Sequence, residues 1–363
     1  MRRAEAAVAA LFLLLPGSAA APPWEVVRPG VTIVLPRDHG AHLQHRTEWW
    51  YLTGVARAAD GREVGWQLTF FRQGIDPSPP APGQSALRAR HVFAANLAVA
   101  DLAAGTFHHA ERLRRGGAGL AGARGDDLDV SVDDWWLRRA GNDRLRLHAA
   151  DAAAGLLLEF ELEPRKPLVR HGVGGYSRKG EQADNASAYV SWTRLASRGA
   201  VAAGGQRLDV LGEAWFDHEW GSSQLGASVV GWDWFALRLA DGRDLMLYQL
   251  RQVDGRPAPF SAGTVVAADG ASRSLAAADF TVRPLATWRS PATGTVYPAR
   301  WRIGVPSASL DLEVTPRLAG AELRAERSTG TTYWEGPVAV SGTARGEGYV
   351  ELTGYAGTMA ARF

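Results

Sequence analysis

The chain has 363 residues, 46% of them hydrophobic and 21% charged. That balance excludes a disordered chain, and the length suits two cores better than one. Net charge is +2 with no block of like charges, which argues against nucleic acid or an anionic membrane surface as partner. Cysteine is absent, which excludes disulfides, thiol nucleophiles and thiolate metal sites.

The N-terminus reads as a signal peptide over residues 1–21. Arg2 and Arg3 supply a positive end, residues 6–15 form a short apolar run, Pro16 and Gly17 break it, and Ser18-Ala19-Ala20-Ala21 offers small residues for cleavage. The run is too short to span a bilayer, and no later stretch is long and apolar enough to do so. A periplasmic or secreted protein is expected. Next comes His39-x-x-His42-x-x-His45. This spacing suits a metal on a helix, but Pro36 and Gly40 argue against a helix, and loop histidines are usually plain polar residues. No metal is expected.

Beyond it the sequence alternates at period 2 with Gly, Asp-Gly and Pro punctuation. Strands are predicted at 48–57, 63–72, 144–149, 156–162, 189–195, 232–239, 244–253, 309–314 and 349–355. The fold class is all-β, as tandem antiparallel barrels. Two hairpins resemble each other. EWWYLTGVARAADGREVGWQLTFFR begins at Glu48, and GWDWFALRLADGRDLMLYQLR begins at Gly231. Asp60 and Asp241, at the tips, are 181 positions apart, half the chain, which points to duplication. The domains are set at 22–222 and 223–363, with the seam in the small-residue stretch 222–230.

The densest polar-aromatic segment is GEAWFDHEWG, from Gly212 to Gly221. On a strand, Trp215, Asp217 and Glu219 face one way and Phe216, His218 and Trp220 the other. Such carboxylates are costly to bury unless paired. The cluster reads equally as a functional site or as a satisfied network at a domain junction. In the second hairpin, a two-residue Asp241-Gly242 loop places Phe235 opposite Tyr248 and Asp233 opposite Leu250. Asp233, Phe235, Tyr248 and Leu250 then share one face, and a buried Asp233 would be a raised-pKa general acid or a partner for an arginine. His108-His109 is assigned no role.

RDHGAHLQHRTEWWYLTG, GEAWFDHEWG and the second hairpin resemble the AttH and carotenoid 1,2-hydratase family over nearly all of the mature chain. The resemblance implies two lipocalin-like barrels. It also implies a site built from a His-x-Trp pair, matched by His218 and Trp220, and a Tyr-x-Asp pair. Tyr248 matches the tyrosine, but Leu250 stands where the acid is expected, and Asn96 stands where relatives often have His. Asp233, Leu250's neighbour in the hairpin register above, is the expected replacement. The catalytic set expected is therefore Asp233, His218 and Tyr248, with Trp220, Trp50, Phe235 and Glu48 binding ligand near the domain junction.

The implied chemistry protonates an isolated alkene to a tertiary carbocation. It needs a neutral carboxylic acid, aromatic faces and one water, but neither cofactor nor metal. Three readings stand at this point: a carrier of an apolar isoprenoid or lipid, a lyase or hydrolase acting on one, and a partner-binding scaffold. Leu250 favours the first, the DHEWG cluster the second, and an exposed apolar rim would favour the third.

Overall fold

The computed structural model describes residues 23–78, 83, 85, 88–222, 225, 226 and 228–359. The predicted signal peptide, residues 1–21, lies outside them. Two antiparallel sheets account for nearly all the regular structure. The first comprises β1 (Thr47–Ala58), β2 (Glu63–Gly74), β3 (His91–Asp101), β4 (Thr106–Arg115), β5 (Ala121–Ala123), β6 (Asp129–Val132), β7 (Trp135–Arg139), β8 (Leu145–Asp151), β9 (Leu156–Pro164), β10 (Val169–Arg170), β11 (Tyr176–Arg178), β12 (Ala186–Ala203) and β13 (Gln206–Gly221). The second comprises β14 (Val229–Leu239), β15 (Asp244–Gln252), β16 (Ala262–Val266), β17 (Ser272–Ala276), β18 (Thr281–Arg289), β19 (Val296–Val305), β20 (Leu310–Pro316), β21 (Glu322–Ala325), β22 (Thr331–Gly342) and β23 (Gly346–Thr353).

The first sheet curls into a nearly closed barrel and the second into a half-barrel. In the first, β1 lies between β2 and β13. In the second, β14 lies between β15 and β23. So in each sheet the first long strand lies beside the last, and β14 is the topological counterpart of β1.

The two tips share their geometry. In the first, Arg57 pairs with Glu63, Ala58 N–H donates to Arg62 O, and Gly61 has φ +87°. In the second, Arg238 pairs with Asp244, Leu239 N–H donates to Arg243 O, and Gly242 has φ +87°. Both are therefore three-residue Ala-Asp-Gly loops whose glycine takes the left-handed position and forms a bulge. The predicted two-residue loop at Asp241-Gly242 is too short by one residue. The correction matters, because one residue of register flips every side chain of one strand relative to its partner. Trp232 pairs with Leu250, Asp233 with Gln249 and Trp234 with Tyr248.

Each central strand is buried on both faces. The inner face of the first sheet packs Trp50, Leu52, Trp66, Phe70, Phe160 and Phe216 into a filled barrel. The inner face of the second packs Phe235, Leu237, Leu247, Trp301 and Trp334. The outer faces meet each other through Tyr51, Val55, Tyr189, Trp215, Trp234, Ala236, Met246, Tyr248 and Tyr349. Contact is close at Gly65, where a Cβ would lie 2.6 Å from Pro337 Cγ and 2.7 Å from the Tyr349 hydroxyl of the other sheet. Gly65→Val should therefore push the sheets apart and destabilise by about 1–3 kcal/mol. Gly141→Ala, with open space at its Cβ, should stay within about 0.5 kcal/mol. Paired thermal melts of the two variants check this, and equal melting temperatures would contradict it.

Candidate functional site: a carboxyl-lined cavity between the sheets

A cavity of about 510 Å³ opens where the outer faces separate. The first sheet contributes Trp49, Tyr51, Phe71, Tyr189, Asp217 and Glu219, with Lys179 from the turn after β11. The second contributes Trp232, Trp234, Tyr248, Leu250, Tyr333, Glu335 and Glu351. The lining is mainly apolar and aromatic, so the few polar groups stand in a poorly solvated space.

Four of those polar groups are carboxyls. Glu335 and Glu351 are direct partners across β22 and β23. Glu335 accepts the Tyr51 hydroxyl's hydrogen bond across the sheet junction, and its Oε2 has no hydrogen-bond partner among the described residues. Glu351 accepts from Thr353 Oγ1 at 2.6 Å and Trp232 Nε1 at 3.1 Å. Burial, and then the charge of Glu351, push the Glu335 carboxyl well above the ordinary carboxylate range. Burial also pushes Glu351 up to about 7, against the pull of Thr353 and Trp232. Two carboxyls in this relation cannot both ionise cheaply, so near neutral pH the pair keeps a proton.

Asp217 is the hub of the opposite wall. It accepts from Tyr189 Oη at 2.5 Å, Trp215 Nε1 at 2.6 Å and Ser191 Oγ. Tyr189 Oη in turn accepts from Trp234 Nε1 of the second sheet at 3.1 Å. Burial raises Asp217 to about 6, and the bonds from Ser191, Tyr189 and Trp215 restrain the rise. Glu219 pairs with Lys179, and both meet Ser187 Oγ. Tyr248 Oη lies 3.0 Å from Ser177 Oγ, and burial pushes its phenol up to about 12.

A second polar cluster lies inside the end of the first barrel. Glu48 receives Arg72 Nε, His42 Nδ1 and His218 Nε2, each at 2.9 Å. Burial opposes its ionisation, but Arg72, His218 and His42 outweigh it and hold Glu48 well below the ordinary range. His42 lies flat on Trp220, with ring centres 3.7 Å apart, and also reaches Asp38 at 3.4 Å. His42, Glu48 and His218 are the one group of three metal-type ligands among the described residues. It differs from the His39/His42/His45 run, whose other members stand apart from it. The buried Arg72 guanidinium already neutralises Glu48, while His218 Nδ1 has no hydrogen-bond partner among the described residues.

The expected site residues divide among three places. Tyr248 lines the cavity, and Glu48 reaches its rim. His218, Trp220 and Trp50 face into the first barrel, where His218 stacks on Trp50 with ring centres 5.0 Å apart. Phe235 and Asp233 face into the second sheet. There Asp233 accepts from Tyr355 Oη at 3.0 Å and pairs with Arg251 Nε at 3.2 Å. Burial lifts Asp233 to about 6, with Arg251 and Tyr355 opposing, so the expected raised pKa is present, but behind the wall. His218, Trp220 and Asp233 do not converge with Tyr248. For Asp233 the two-residue loop assumed for the hairpin is the cause, whereas His218 and Trp220 stand on the inward face of β13.

The match to the AttH-like family model covers residues 26–355. The crystal structure of an AttH protein from Nitrosomonas europaea is similar at 34% identity and TM-score 0.82, covering 91% of this chain and 99% of the other. The chain belongs to the AttH-like family. Kievitone hydratase from Nectria haematococca shares the fold at TM-score 0.65 and 15% identity, over 92% of this chain and 96% of that one. A search of curated proteins finds no significant match.

Sequence reasoning singles out Asp217 and Glu219 but passes over the other two cavity carboxyls of this AttH-like chain. Glu335 and Glu351 occupy outward positions of alternating strands, which ordinarily face water. Here a second sheet replaces the water. Asn96 is also recruited, since its Nδ2 donates to Tyr333 Oη at 3.1 Å and holds that ring on the cavity wall.

The pH dependence follows from the sign of the shift. Glu351 binds its proton more tightly folded than unfolded, so its contribution is full below the unfolded value of 4.5 and is lost as pH rises through about 7. Glu351→Gln keeps the shape and removes that titration. Its melting temperature relative to the parent should rise between pH 4.5 and 8, by an amount worth about 3 kcal/mol. A constant difference across that range would show that Glu351 is not held neutral.

Proposed function

We propose that this is an exported protein, active in the periplasm or outside the cell after removal of its N-terminal segment, that binds an extended apolar ligand of isoprenoid or lipid type in the junction cavity. There it adds water to a carbon–carbon double bond by acid catalysis, without a cofactor. The observation that carries this reading is the buried, facing Glu335–Glu351 pair on the wall of an aromatic cavity. A carboxylic acid kept neutral by apolar surroundings is the proton donor that an isolated alkene requires.

In this reading Glu351 or Glu335 gives its proton to one alkene carbon, and the other becomes a carbocation. The rings of Trp232, Trp234 and Tyr333 stabilise the cation. One water attacks it, and the carboxylate left behind takes back the surplus proton. The catalyst is regenerated, and the sum is alkene plus water to alcohol. Tyr248 and Leu250 shape the pocket beside the acids, so Leu250 needs no acid of its own. Neither Asp233 nor His218 takes part in this scheme.

The alternative is a carrier that binds the same class of ligand without changing it, favoured by Leu250 where an acid is expected. An acyclic isoprenoid polyene incubated in ¹⁸O-labelled water separates the two. Hydratase action labels the product alcohol. Glu335→Gln and Glu351→Gln should then each lower turnover by about 100-fold or more, with binding nearly unchanged. Tight binding without any labelled alcohol would leave the carrier. Full activity in both variants would remove the acid pair from the mechanism.

A further inference from the structure

Lysine occurs only at Lys166 and Lys179 among 40 basic residues. Lys166 bonds Gly242 O and Asp244 Oδ2, each at 2.6 Å, where the two sheets meet. That is an ordinary buried tie. Lys179 stands elsewhere, on the wall of the junction cavity. Its backbone N–H is held by Asn185 O at 2.7 Å. Its Nζ donates to Ser187 Oγ at 2.7 Å, touches the Glu219 carboxylate, and lies 5.4 Å from the centres of both the Tyr189 and Tyr248 rings.

This amine has an apolar chamber in front of it and a carboxylate beside it. An arginine there would make the ion pair but could never give up its proton. Burial brings the Lys179 ammonium down to about 7, with Asp217 opposing, so a neutral amine is available near neutral pH. Glu219 is in place to take the proton and return it. A nucleophilic amine with an adjacent proton carrier in a desolvated pocket is the arrangement that imine chemistry uses.

We propose that Lys179 captures carbonyl compounds, its Nζ forming a reversible imine with an aldehyde or ketone group carried by an apolar molecule in the junction cavity. The proposal rests on the reading that this cavity takes apolar ligands. In the step, Lys179 passes a proton to Glu219, and the free nitrogen pair bonds to the carbonyl carbon. The carbonyl π pair moves to oxygen, which is protonated by Glu219 as Glu219 removes a proton from nitrogen. A second protonation by Glu219 releases water as the nitrogen pair closes the C=N bond. The product is an iminium beside an ionised Glu219, so the pair keeps the charges it began with. Nothing is oxidised or reduced.

The probe is decanal with sodium cyanoborohydride, applied to the full mature protein, followed by peptide mass spectrometry. Binding of hexadecane is measured in parallel by tryptophan quenching. A decyl group on Lys179, with Lys166 spared, is the expected result, and excess hexadecane should suppress it. Lys179→Arg should lose that adduct while keeping the circular dichroism spectrum and the label on the α-amino group. If the α-amino group is labelled and Lys179 is not, the proposal is overturned. Hexadecane binding in that case leaves the apolar cavity standing, and its absence removes the cavity reading as well.

Discussion

The burial of both faces of the central strands is the constraint on which the rest of the structure depends. β1, β13, β14 and β23 each turn one face into their own sheet and the other toward the opposite sheet. An antiparallel sheet in a soluble protein usually offers one face to water, and polar side chains collect there. In this molecule the polar side chains of two outer faces are brought against each other. Some pair across the junction, as Tyr51 does with Glu335 and Trp234 with Tyr189. Where the faces separate, the same residues line a cavity.

That placement sets two kinds of buried carboxyl against each other, Glu48 and the Glu335–Glu351 pair. Glu48 sits inside the barrel end with Arg72 and two histidines, and is held ionised. Its network fastens the segment around His42 to the barrel strands, with Trp220 stacked beneath the His42 ring. Glu335 and Glu351 face the cavity with no ion pair among the described residues and are driven toward the neutral acid. Breaking the first kind would leave a charge buried without its partner, a cost to stability. The second kind is poised to move protons. The His-x-Trp pair of the DHEWG segment belongs to the first kind here, as a support under the cavity wall and not a part of its surface.

Much of the fold could be read from the sequence, because period-2 alternation and an Ala-Asp-Gly tip are local signals. The strands of the hairpins at 48–72 and 231–251 form as predicted and their tips share one register, though that register differs by one residue from the one predicted for the second. The 181-residue offset places Tyr51 level with Trp232, and both face the cavity, whereas Trp50 turns inward. The site was less legible, for two physical reasons. Loop length is set by whether glycine closes a turn or forms a bulge, and Asp-Gly permits both. Also, alternation identifies two faces without naming what covers each. Trp215, Asp217 and Glu219 were correctly grouped on one face, but a single strand cannot reveal that a second sheet lies over them. Lys179 gave no local signal beyond the rarity of lysine itself.

The central claim is that the apolar ligand lies between the two sheets and not inside either barrel. Photolabelling with a diazirine-bearing acyclic isoprenoid, read by peptide mass spectrometry, tests it most directly. The account predicts label on cavity residues of both sheets, on Trp49 or Phe71 and on Trp232 or Leu250, with none on Trp66, Phe160 or Leu247. Label concentrated on those barrel-interior residues would contradict it.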